Sequence, residues 1–119
     1  PVVNASDLGI QLPLEVRRRP YILRLDVLEP TPSLIKARLV ISSDIFVQVY
    51  RNDLYDSTNF VLIHNQRRIY GRDQLGSVWH RHSVSRPDAH DKSELGRQAV
   101  TVEAFLNEVE AILAELGLP

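Results

Sequence analysis

The sequence predicts an α+β domain, an antiparallel β-meander of about five strands packed against a C-terminal α-helix, with a long histidine-containing loop. Three observations lead there. Apolar and polar residues alternate with a period of two between Tyr21 and Tyr70, interrupted by short turn-forming clusters. Residues 71–96 are polar, rich in Gly and Ser, and nearly aperiodic. From Val102 to Leu116 the apolar residues recur at helical spacing.

At 119 residues the chain is long enough for one domain, and 44% apolar residues can fill one core. Residues 1–19 read as an irregular lead-in punctuated by Gly9, Pro13 and Pro20, and residues 20–119 as the single domain. Arg17-Arg18-Arg19 reads as a solvated run or, more sharply, as a phosphate-contacting arm. Tyr21, Leu23, Leu25 and Val27 then point one way while Arg24 and Asp26 point the other, as in a half-buried strand. Pro30 and Pro32 end that strand, because proline cannot donate to a ladder.

Ile35, Ala37, Leu39 and Ile41 resume the alternation, Ser42-Ser43-Asp44 turns the chain, and Ile45, Val47 and Val49 return, giving a hairpin. Asn52-Asp53 and Asp56-Ser57 mark the next turn. Phe60–Ile63 is a fourth strand, Asn65-Gln66 a two-residue connection and Arg67–Tyr70 a short fifth strand. Connections this short join antiparallel neighbours. Residues 71–96 then read as a long loop with a short strand near Trp79–Val84; loops of that length are often functional. In the final helix Thr101 is a good N-cap, Glu103 faces the positive end of the dipole, and Gly117 suits a left-handed terminus. Its apolar stripe belongs on the sheet, with the glutamates on the opposite side.

The sequence has no cysteine, which excludes disulfides, zinc–thiolate sites and cysteine nucleophiles. No apolar run is long enough to span a bilayer and no basic-then-apolar leader is seen, so a cytoplasmic location without membrane attachment is expected. The net charge of −1 hides an asymmetry. Between His64 and Lys92 six cations face three anions, whereas residues 101–119 carry four glutamates and no Lys or Arg. The basic segment could attract phosphate.

That segment also holds all four histidines, His64, His80, His82 and His90. Imidazole titrates near neutrality, binds metals and transfers protons. His80 and His82, two apart on a strand, share one face, so both could reach one phosphate while Arg81 points away. RNA cleavage by transesterification needs a base, an acid and a cation near the phosphate. His80 and His82 fit acid and base without any metal or other cofactor, and His90 could assist. Arg72 is the better phosphate clamp, Asp73 could orient a histidine, and Tyr70 or Trp79 could stack on a base, with Arg81 a further contact. A metal site is the alternative: His80, His82 and His90 supply three nitrogens, completed by Asp73, Asp88 or Asp91. A third option is a non-catalytic interaction module. His64, at a strand end, reads as structural.

Tyr70-Gly71-Arg72-Asp73, Gly76, Trp79-His80-Arg81-His82, Pro87, His90 and the helix opening Thr101-Val102-Glu103 together resemble the TumE-type toxin family of toxin–antitoxin systems, over roughly residues 20–116. Gln74 stands where members tend to carry Asn, and Ser83 where they often carry Pro. The resemblance implies a cytoplasmic toxin partnered by an antitoxin, often a helix-turn-helix protein; RNA as the candidate substrate comes from the histidine chemistry instead. An edge strand or the helix could also support a homodimer.

Overall fold

A computed structural model describes residues 4–91 and 93–119, with the backbone alone for Glu29, Pro30, Pro87 and Asp88. The side chains of Pro87 and Asp88, and Lys92, therefore lie outside the described residues. The elements in order are α1 (Ala5–Arg18), β1 (Arg24–Pro30), β2 (Leu34–Val40), β3 (Ile45–Asn52), β4 (Ser57–His64), β5 (Arg67–Leu75), β6 (Val78–Ser83), β7 (Arg86–Asp91) and α2 (Val102–Leu116). The strands form one sheet in sequence order, each antiparallel to the next. The α+β meander with its C-terminal helix is thus observed, extended to seven strands and a second helix.

The alternation of β2 and β3 sends Ile35, Ala37, Leu39, Ile45, Val47 and Val49 to one face. Phe60, Leu62, Tyr70 and Trp79 continue that face across β4, β5 and β6. They form one core with Ala5, Leu8 and Leu12 of α1 and Val102, Phe105, Leu106, Val109 and Leu113 of α2. Both helices cover this face; among the described residues, no helix lies on the opposite face. The Phe105 ring sits at the centre, 5.5 Å from the Phe60 ring and 5.8 Å from that of Tyr70. Among the described residues, no helix is long and apolar enough to cross a membrane.

Three expectations are corrected. Residues 1–19 are not an irregular lead-in, because Ala5–Arg18 is helical. The Asn4 side chain accepts from the Asp7 N–H at 2.8 Å and caps it. Ala5, Leu8 and Leu12 form a buried stripe whose packing outweighs the local cost of Gly9 and Pro13. The first strand starts at Arg24 rather than Tyr21; Ile22 is buried while Leu23 is 69% exposed. Residues 71–96 are not one long loop, since β5 runs on to Leu75 and β6 and β7 follow. Two-residue connections suffice there, and Gly76 takes the φ of +60° that its turn requires.

The Asn65-Gln66 connection has positive φ at both residues, 50° and 65°, the conformation that matches strand twist in a two-residue hairpin. α2 has the expected ends: Thr101 Oγ1 accepts from the Ala104 N–H at 3.0 Å, and Gly117 is left-handed at φ +68°.

Candidate functional site

Because β5 and β6 are strands, period-two alternation decides which side each residue serves. Asp73, His80 and His82 project from the face that no helix covers, whereas Tyr70, Arg72, Trp79 and Arg81 project toward the helices. The ladder sets Asp73 opposite His80, and Gly71 opposite His82. At Gly71 a Cβ would lie 3.2 Å from the Phe60 carbonyl oxygen, so the bare backbone keeps this part of the sheet closely paired. β7 then carries His90 over the pair.

The result is three imidazoles around one carboxylate. His82 Nε2 lies 2.9 Å from Asp73 Oδ2, within hydrogen-bond reach, and the His82 ring is buried. His80 Nδ1 lies 3.8 Å from Asp73 Oδ1 and is half-buried. The exposed His90 ring is centred 4.7 Å from His80 and meets His82 edge-on at 4.6 Å. Asp73, His80 and His90 line a cleft of about 310 Å³ together with Asn59. One ligand atom each from Asp73, His82 and His90 falls within 4.8 Å of the others, so these three could hold a metal ion.

The remaining expected site residues are not brought to this cleft. Arg72 is no phosphate clamp: it is 2% exposed, donates from Nε and Nη2 to Glu108 at 3.1 and 2.6 Å, and donates from Nη1 to the Leu95 carbonyl at 2.9 Å. Arg81 is turned to the same side and donates from Nε to Asp91 Oδ2 at 2.8 Å. Trp79 and Tyr70 are core side chains rather than stacking platforms. The Tyr70 hydroxyl donates to Glu108 Oε1 at 2.9 Å; burial, and then the Glu108 carboxylate, raise its pKa and keep it a neutral donor. Asp91 is also occupied elsewhere: hydrogen bonds from Ser93, and after them Arg81, hold its carboxyl down to about 2. His64 Nε2 sits 3.5 Å from Asp44 Oδ2 at a hairpin end, away from the cluster.

Gln74 faces inward, accepting from Thr58 Oγ1 at 2.7 Å and donating to the Gly76 carbonyl at 2.6 Å. Arg51 completes this buried polar group, donating to Thr58 Oγ1 at 3.1 Å and to Asp53 Oδ1 at 3.0 Å. The Asp53 carboxylate in turn accepts from the Ala5 N–H and fixes the start of α1.

Sequence reasoning missed the residues that extend the cleft. These are Lys36, Tyr50 and Asn59, which stand in one row across β2 to β6 with the expected Asp73 and His80. Their only signal in the sequence is a polar residue at each outward position; the register that aligns them is a property of the folded sheet. No protein family, no curated protein and no solved structure matches this chain.

Proposed function

We propose that this chain is an RNA-cleaving toxin of a toxin–antitoxin pair, acting without a metal through imidazole acid–base chemistry at the Asp73, His80, His82 and His90 cluster. The observation that carries this reading is the pair of solvent-reaching rings, His80 and His90, 4.7 Å apart beside a carboxylate on an uncovered sheet face. One imidazole takes the proton of the ribose 2′-hydroxyl as its oxygen attacks phosphorus. The other gives a proton to the departing 5′-oxygen, leaving a 2′,3′-cyclic phosphate and a free 5′-hydroxyl. The protonated ring also offsets charge building on the phosphate, work that Arg72 and Arg81 do not do from the other face. His82 holds Asp73 in place, with the Asp73 carboxylate 3.8 Å from His80 Nδ1. The resemblance to TumE-type toxins supports the toxin role, a cytoplasmic setting and an antitoxin protein as partner.

The test is expression of the wild type and of His80→Ala/His90→Ala, with growth and RNA integrity followed. Wild-type arrest with RNA fragments ending in cyclic phosphate is expected. Each substitution should slow cleavage by a factor of about 100 or more in protein that melts like the wild type. Toxicity and fragmentation surviving the double substitution would overturn the assignment.

The spacing of Asp73, His82 and His90 favours a second reading, a two-histidine, one-carboxylate metal centre. Cleavage that persists in chelator supports the acid–base route. Cleavage lost in chelator and restored by one divalent transition metal supports the metal centre. Antitoxin binding without cleavage of any RNA would instead favour a non-catalytic module.

A further inference from the structure

Resting on the RNA-cleaving reading, we infer that the helix-free sheet face is a track for single-stranded RNA, leading from Lys36 and Arg68 past Tyr50 to the Asp73–His80–His90 cleft. A second cleft of about 430 Å³ lies on this face, lined by Lys36, Gln48, Tyr50, Asn59 and Arg68 among others. It shares Ser57 and Asn59 with the histidine cleft, so the two adjoin. The row from Lys36 to His80 crosses four strand spacings, about 19 Å, at right angles to the strands.

The two faces differ in how their cations are paired, although the open face too has one ion pair, Arg24 with Asp26 at 3.0 Å. On the helix side Arg19, Arg51, Arg72 and Arg81 each have a carboxylate partner. On the open side Lys36, Arg38 and Arg68 enter no ion pair among the described residues. Cations with no carboxylate partner among the described residues, beside adjoining clefts, suit a phosphate backbone. The same face presents aromatic rings. Tyr50 is half-buried in the groove, and Arg38 lies over the Phe46 ring at 4.8 Å from its centre. Rings on a sheet surface stack on unpaired bases whatever the sequence, which favours a single strand over a duplex. Gln48 and Asn59 add amides that can meet base edges or 2′-hydroxyls.

Binding can be read apart from cleavage by fluorescence anisotropy with a 2′-O-methyl oligoribonucleotide of about eight nucleotides, which has no nucleophile to react. The wild type should bind the single strand more tightly than the matching duplex. Lys36→Glu/Arg68→Glu should weaken binding at least tenfold. Neutral Lys36→Ala/Arg68→Ala should flatten the slope of log affinity against log salt by about 0.7 for each phosphate that is no longer neutralised. Tyr50→Leu should weaken binding about tenfold for every sequence tried. Arg17→Glu/Arg97→Glu, at exposed positions elsewhere, should bind as the wild type does. The track is overturned if the wild type does not bind, if Lys36→Glu/Arg68→Glu binds unchanged, or if those substitutions instead dissolve a dimer of this chain in sedimentation equilibrium. Groove-dependent binding without cleavage of ordinary RNA would keep the track and remove the catalytic reading. Cleavage indifferent to the groove substitutions would do the reverse.

Discussion

Arg72 shows how one guanidinium is taken up by structure. Its three donor nitrogens reach Glu108 and the Leu95 carbonyl, joining β5 to α2 and to the segment before it. Glu108 also accepts from Tyr70, so one helix glutamate serves two sheet residues. Removing the arginine leaves that carboxylate with the tyrosine alone. Because Glu108 is 30% exposed, water compensates part of the loss. Arg72→Met should therefore destabilise the fold by about 2 kcal/mol, below the roughly 3–5 kcal/mol of a fully buried broken pair. Arg72→Met/Glu108→Leu should recover at least half of it, because no charge is then left behind. Urea titration of the single and double variants checks both statements. The basic histidine segment and the acidic C-terminal segment, so distinct in the sequence, are partly this pair seen from either side.

At the scale of elements, β6 and β7 depend on a carboxylate. Asp91 accepts from Arg81 on β6 and from the Ser93 N–H at 2.9 Å, while Ser93 Oγ accepts from the Gly96 N–H at 3.2 Å. Gly96 is obligatory there, as a Cβ would fall 2.4 Å from the Asp91 carbonyl oxygen. The folded-state pKa of Asp91, about 2, lies below the ordinary value near 4. Its stabilising effect is thus complete above about pH 4 and is lost as the pH falls toward 2. Amide protection in β7 and the turn after it, taken relative to the intrinsic exchange rate at each pH, should fall over that window, and in Asp91→Asn should already be low at neutral pH. These same strands are the least legible part of the sequence. Gly71, Asp73, Gln74 and the histidines carry no apolar alternation, yet a ladder forms because its bonds are made by backbone groups. A reading that stops β5 at Tyr70 puts Arg72 and Asp73 in one site, although neighbours on a strand face opposite ways.

For the molecule as a whole, the two helices are fastened to each other as well as to the sheet. Arg19 donates to Glu15 Oε1 at 3.0 Å and to Asn107 Oδ1 at 3.1 Å, and also bonds Glu110, which accepts from the Tyr21 hydroxyl at 2.8 Å. The basic run at residues 17–19 is therefore the end of α1, and its third member is a clasp rather than a free arm. Arg19→Met leaves Glu15 buried beside only the looser Arg18 ion pair and should cost about 3 kcal/mol. Exchange protection should fall in α1 and α2 together; loss confined to α1 would count against the clasp.

Local patterning in the sequence was enough to determine the α+β class, the first hairpins and α2 with both its caps, since period and turn chemistry act over a few neighbouring residues. It also picked out the histidine-bearing stretch. Only the tertiary structure decided that Asp73 and His90 join His80 and His82 on one face, that Arg72 serves the other, and that Lys36, Tyr50 and Asn59 stand in line with them. Those outcomes follow from strand register and from which face the helices cover, and both are settled by contacts between residues far apart in the chain.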